Sequence, residues 1–199
     1  MSDLNLQTIV LATRNNGKLM EFRTLLQSLE SRILSLQDID INRDVEESGN
    51  TFAENARLKA LEYSQWTHYP VLADDSGLEV MALGGRPGIY SARYAGADAS
   101  DEDRNRKLLK ELEGEKNNRN ARFFCALALA QHGAVLLETE GECRGVITRT
   151  LRGTNGFGYD PVFLFPDLDK TFAELNKEEK NTYSHRTRAI HNLIVLLNR

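Results

Sequence analysis

The sequence predicts an α/β fold with a mixed central sheet and flanking helices, and three observations carry that expectation. Thr8-Ile9-Val10-Leu11-Ala12 is a short, mostly β-branched apolar run that passes through a polar loop into a helical pattern, the opening of an α/β unit. Short apolar runs and helical patterns keep alternating as far as Leu112. Beyond it, Phe123 to Ala130 and Ala134 to Thr139 read as antiparallel strands joined at His132-Gly133, so the sheet should be mixed.

The first helix carries Leu19, Phe22, Leu25, Leu26 and Leu29 at spacings of three and four, the apolar face of an amphipathic helix. Ile33 to Leu36 is a second short strand. Residues 38–50 are polar and acidic, and Thr51-Phe52-Ala53-Glu54 then fits a capping box for a helix running to about Trp66. Pro70-Val71-Leu72-Ala73 reads as a buried strand with Asp74-Asp75-Ser76-Gly77 at its carboxyl end. Residues 84–97, rich in glycine and holding Pro87, predict an irregular loop. Ser100 should cap a charged helix through Leu112, and Arg144 to Thr150 should continue the sheet. A glycine-rich turn from Gly153 to Pro161 precedes a strand at Val162–Phe165. The final helix is expected near Ser184, with Ile190, Leu193, Ile194 and Leu197 on one face.

Apolar residues make up 41% and charged residues 27% of the chain, both globular averages, so disorder is not expected. No repeat, low-complexity tract or linker interrupts residues 1–199, which read as one domain able to bury a sizeable core. A net charge of −4 argues against a nonspecific nucleic-acid surface, which needs a basic face. No apolar run approaches the ~18 residues of a membrane span, and the N-terminus lacks a basic-then-apolar signal pattern; a soluble protein is expected. Cys125 and Cys143 form neither a CxxC pair nor a disulfide framework, which points to a reducing cytoplasm. The four histidines form no HxxxH or Cys/His cluster, so zinc is not expected.

Four stretches have chemical potential, each with a plainer alternative. Thr13-Arg14-Asn15-Asn16-Gly17-Lys18 lies at a strand-to-helix junction, where backbone N–H groups and the positive helix end face an anion and Lys18 adds a full charge. A surface turn is the alternative. It is not a Walker A loop, because Ala12 or Thr13 stands where that loop has glycine and Leu19 follows the lysine. Asp74-Asp75 can hold Mg²⁺ and orient a water, since Mg²⁺ takes one or two carboxylates plus phosphate oxygens; an Asp-Ser-Gly turn is the alternative. Phe157 and Tyr159, set among glycines, offer an aromatic platform for a base or merely shape a turn. His185-Arg186 follows a capping Ser184 and is otherwise an exposed pair. Glu46, Glu47 and Lys59 by themselves read as solvated.

Together, LATRNNGK (11–18), ESGNTFAENARLKA (47–60), ADDSGLEV (73–80), LGGRPGIYSARYAG (83–96), TNGFGYDPVF (154–163) and KNTYSHRTRA (180–189) resemble the inosine triphosphate pyrophosphatase family from about residue 8 to 197. Arg14 departs from the family's usual small residue, and Asn155 from its usual glycine. The resemblance implies two lobes around a nucleotide-binding cleft, a homodimer, and Mg²⁺-dependent hydrolysis of ITP, dITP or XTP to monophosphate and pyrophosphate. It implies that Thr13, Arg14, Asn15, Asn16, Gly17 and Lys18 hold the triphosphate, with Ser76 and Lys59. Asp75 would be general base and metal ligand beside Asp74, with Glu47 the second acidic ligand and Glu46 its neighbour. Phe157, Gly158, Tyr159 and Asp160 would form the base and ribose pocket, contacted also by Lys180, His185 and Arg186. The rival readings are a nucleotide sensor without turnover and a pyrophosphatase for other nucleotides. The four acidic residues at 46, 47, 74 and 75 favour an enzyme.

Overall fold

The computed structural model describes residues 6–198. Seven strands, β1 (Thr8–Ala12), β2 (Arg32–Ser35), β3 (Val71–Val80), β4 (Asn120–Gln131), β5 (Ala134–Ile147), β6 (Phe163–Phe165) and β7 (Lys170–Thr171), form a sheet in the order β2-β1-β3-β4-β5-β6-β7. β1 is parallel to β2 and β3, with Val10 beside Leu34 and Val71. The pairs β5–β6 and β6–β7 are antiparallel, so the sheet is mixed, as expected. The flanking helices are α1 (Asn16–Leu25), α2 (Phe52–Tyr63), α3 (Asp101–Glu111), α4 (Lys177–Tyr183) and α5 (His185–Leu197). β4 and β5 meet at His132-Gly133, whose φ values of 51° and 74° are those of a two-residue hairpin turn.

The chain divides into two compact units, and β3, β4 and β5 each pass from one into the other. In the first unit, Phe22 and Leu26 of the α1 segment and Ala189, Ile190 and Leu193 of α5 close over Ile9, Leu11, Leu72 and Leu127. In the second, Leu108 and Leu112 pack with Leu78, Phe123, Phe163 and Phe172. Each such buried Leu, Ile or Phe side chain contributes about 1.5–3 kcal/mol by leaving water. α3 begins as anticipated, Ser100 and Asp103 forming a reciprocal capping box.

Five expectations need correction. β3 runs on through Asp74, Asp75, Ser76 and Gly77 to Val80, so the acidic pair lies inside a strand and not at its carboxyl end. Gly77 marks a close backbone approach: a Cβ there would stand 2.7 Å from the Gly88 carbonyl oxygen and would overlap the Ser91 hydroxyl. β5 is one strand of 14 residues, not two segments, and Gly145 is small because a Cβ would meet the Leu164 carbonyl oxygen at 2.5 Å. α2 stops at Tyr63, and only half its capping box forms: Thr51 Oγ1 accepts from Glu54 N at 3.1 Å, while the Glu54 carboxylate accepts from Asn50 N at 2.6 Å. Helix α4 was not anticipated, although Asn176 and Glu179 form a full capping box at its start. The loop at 84–97 is also more regular than expected, since Gly88–Arg93 is a 3₁₀ helix.

Candidate active site

In the first unit, β1 ends at Ala12 and α1 starts at Asn16, so residues 13–18, expected to hold the triphosphate, span the junction itself. Thr13 Oγ1 accepts from Asn15 N at 3.2 Å, and Asn15 Oδ1 accepts from Lys18 N at 3.0 Å, which makes Asn15 the N-cap of α1. Asn16, Gly17 and Lys18 form the first helical turn. Lys18 Nζ lies 3.1 Å from Asp74 Oδ2. Arg14 turns toward segment 41–44, pairing with Asp44 and donating to the Arg43 carbonyl at 3.0 Å.

The same unit gathers charge around Lys59 of α2. Its ammonium is 2.6 Å from Glu47 Oε1 and 3.7 Å from Asp75 Oδ1. Burial works against that charge, but Asp75, Asp74 and Glu47 outweigh it and hold the Lys59 pKa above its ordinary value. Burial likewise raises the Asp75 pKa, only partly countered by Lys59 and Lys18. Of the two adjacent glutamates, Glu47 turns to Lys59 and Glu46 is exposed. Asn55, fully buried, donates to Asp75 Oδ2 at 3.1 Å and accepts from Gly49 N at 2.8 Å. It thus ties the strand that carries Asp75 to the segment that carries Glu47. Arg186, at the start of α5, pairs with Glu21 of α1 at 2.7 Å and lies 4.0 Å from Asp74.

In the second unit, the turn at Phe157–Asp160 is held by its own side chains. Asp160 Oδ2 accepts from Phe157 N at 2.9 Å and from Lys180 Nζ at 2.5 Å. The Lys180 ammonium stands 4.8 Å from the Phe157 ring centroid, a cation–π distance. Phe157 is half-buried. Tyr159 is buried in the core, its hydroxyl donating to the Ser91 carbonyl at 2.9 Å. His185 is buried with its ring stacked on Phe123, centroids 4.8 Å apart. Ser76, half-buried in β3, follows Asp75 directly.

The residues expected at the site therefore fall into two sets. Thr13 to Lys18, Glu47, Lys59, Asp74, Asp75 and Arg186 belong to the first unit. Ser76, Phe157 to Asp160, Lys180 and His185 belong to the second. Asn55 and Glu21 were missed. The AEN run at 53–55 gave no periodic signal for a polar residue on the buried face of α2. Glu21 sits in α1 between apolar positions and looks solvated in sequence.

The turn also yields a stability prediction. Gly156 has φ +75°, and a Cβ there would overlap the Asp160 carboxylate, whereas Gly158, at φ +65°, faces open space. Gly156→Ala is expected to cost about 2 kcal/mol or more from left-handed strain plus the clash. Gly158→Ala should cost only the strain, about 1 kcal/mol. Chemical denaturation of both variants measures this; equal losses would show that the Asp160 contact is irrelevant.

The Ham1 family profile matches residues 9–196 of this chain. A dITP/XTP pyrophosphatase of Bacillus licheniformis is 51% identical over 193 residues, covering 96% of this chain and 98% of that protein. One of Gloeobacter violaceus is 53% identical over 186 residues, with 94% and 92% covered. Among solved structures, a HAM1 protein from Coxiella burnetii aligns with a TM-score of 0.87 at 43% identity, covering 96% of this chain and 98% of that one. The Ham1 protein of Staphylococcus aureus aligns with a TM-score of 0.85, also at 43% identity and with the same coverage.

Proposed function

The chain belongs to the Ham1 family, and from that membership we propose that it hydrolyses non-standard purine nucleoside triphosphates such as dITP, XTP and ITP to the monophosphate and pyrophosphate. The observation that carries the reading is Asp75: a buried carboxylate, oriented by Asn55, facing Lys59 and sharing that lysine with Glu47.

Water attacking a triphosphate approaches a polyanion, so the reaction needs fixed positive charge and a positioned base. Lys18 in the first turn of α1 adds its charge to the helix N-terminus, and the loop Thr13–Gly17 presents backbone N–H groups to the phosphates. Lys59 offsets charge that grows on the leaving pyrophosphate. Asp75, oriented by Asn55, is placed to take a proton from the attacking water. Asp74, held by Lys18, orients the lysine. In the second unit, Phe157 supplies a ring face for the base. Gly158 to Asp160, Lys180 and His185 complete the base and ribose contacts, and Ser76 adds a phosphate contact.

The donor set fits Mg²⁺. Glu47 and Asp75 are hard oxygen donors that already share a cation, the Lys59 ammonium. Such a pair suits an ion that takes one or two carboxylates and fills its shell with phosphate oxygens. Glu47 and Asp75 would hold it, and the ion supplies Lewis-acid neutralisation of phosphate charge.

The same reading has residues 1–199 acting as one pyrophosphatase unit, paired as a homodimer in the cytoplasm. No helix among the described residues is long and apolar enough to cross a membrane, and Cys125 and Cys143 are both buried and not joined in a disulfide.

Purified protein given Mg²⁺ and dITP or XTP should release pyrophosphate and monophosphate as the sole initial products. Ion-exchange chromatography of the reaction checks this. Transient diphosphate with free phosphate would overturn the bond assignment, and binding without turnover would make the protein a sensor.

A further inference from the structure

We propose that Asp101 and Asn105 of α3 are positioning residues for the nucleotide-binding turn Phe157–Asp160, acting through the peptide groups of Gly158; the inference rests on the function proposed above. Asp101 Oδ2 accepts from Gly158 N at 2.7 Å, and Asn105 Nδ2 donates to Gly158 O at 2.8 Å. The two side chains are one helical turn apart on the same face of α3, so together they grip both polar backbone groups of a single residue.

Each half of the grip is itself fixed. Asn105 is 2% exposed, and its amide also donates to the Asp101 carbonyl at 2.9 Å. The second carboxylate oxygen of Asp101 is taken by Arg104, whose guanidinium also bonds the carbonyls of Ala92, at 2.9 Å, and Ala99, at 2.6 Å. The first turn of α3 is therefore braced against the 84–97 loop before it reaches Gly158.

The turn needs this support at one residue. Phe157 N and Asp160 are tied to each other and to Lys180, and Tyr159 is anchored in the core through Ser91. Gly158 lies between these fixed points at φ +65°, and no neighbouring atom would touch a Cβ there. It therefore has no side-chain packing to fix it, and glycine is the residue freest to leave a given φ, ψ. The Asp101–Asn105 pair supplies the missing constraint. It holds the Phe157 ring and the Asp160 carboxylate at one spacing, and the fit of a bound base depends on that spacing. None of this touches the water or the phosphates. The expected effect is on nucleotide binding and not on the chemical step.

The test uses the whole protein with dITP and Mg²⁺. Asn105→Ala is expected to raise KM at least ~10-fold while kcat stays within ~3-fold. Arg106→Ala is the control: it removes an exposed ion pair of α3 with Glu102 without touching Gly158 or its two partners, and should leave KM within ~2-fold. KM unchanged in Asn105→Ala, or moved equally by Arg106→Ala, overturns the proposal. A second readout is independent of activity. The Gly158 amide should exchange with deuterium at least ~10-fold faster in Asp101→Ala, with the amides of β4 unchanged; equal exchange in the two proteins overturns the clamp. Wild-type protein that turns over no nucleotide would sink the proposed function alone, and the exchange experiment would still decide the clamp.

Discussion

Asp75→Asn should lower kcat by at least ~10³, about 4 kcal/mol of barrier, without lowering the melting temperature. The activity loss follows from the role of the carboxylate. An amide at this position cannot accept the proton of an attacking water, and it withdraws one of the three carboxylate charges that act on Lys59. The retained stability follows from the environment. Burial raises the Asp75 pKa, so the folded protein disfavours the ionised form relative to the unfolded chain. A neutral side chain of the same shape removes that penalty, and its carbonyl oxygen can still accept from Asn55 Nδ2; this offsets the loss of the Asp75 charge that faced the Lys59 ammonium. Pyrophosphate release at saturating Mg²⁺ and a calorimetric melt are the two measurements. A kcat within ~10-fold of wild type would remove Asp75 from the chemistry. A melt lowered by several degrees would mean that the carboxylate contributes to folding and is not merely tolerated.

Arg186→Ala should fail on both counts, for the opposite reason. Arg186 is 5% exposed, and burial opposes its charge, but Glu21 and Asp74 outweigh burial and hold its pKa above the ordinary value. Removing one member of a buried ion pair leaves the others uncompensated, typically at about 3–5 kcal/mol. For a chain of this length that corresponds to roughly 10 °C in melting temperature. Replacing Glu21 together with Arg186, as Glu21→Leu in an Arg186→Leu background, should return part of the lost stability, because no carboxylate is then left facing an apolar gap at position 21. It should not return activity if Arg186 also contacts the nucleotide: kcat/KM for dITP, measured well below the melting point, should stay at least ~10²-fold down. A melt lowered by less than about 3 °C would sink the ion-pair account. Restored kcat/KM in the double variant would show that Arg186 only holds structure.

The parts of this molecule legible in its sequence are those set by local rules. β1, the first turn of α1, the Ser100 cap, the His132-Gly133 hairpin and the apolar face of α5 each follow from residue spacing, capping or turn chemistry within a few positions, and the structure has them where they were expected. The family motifs also named the side chains that the first unit gathers around Lys59, since Glu47, Asp74 and Asp75 were all singled out. Tertiary contacts decided the rest. Asp74-Asp75-Ser76-Gly77 has the composition of a turn, yet it continues as a strand: Gly77 is there to admit the Gly88 carbonyl and Ser91, and no local signal reports a close approach from residues more than ten positions away. Glu140-Gly141-Glu142 looks like a break and is mid-strand, because strand pairing overrides weak β-propensity. No sequence signal marks out Asn55, Glu21, Asp101 or Asn105. Each hydrogen-bonds or ion-pairs with a group distant in the chain, and a polar side chain on a helix looks the same in sequence whether it faces water or a buried partner.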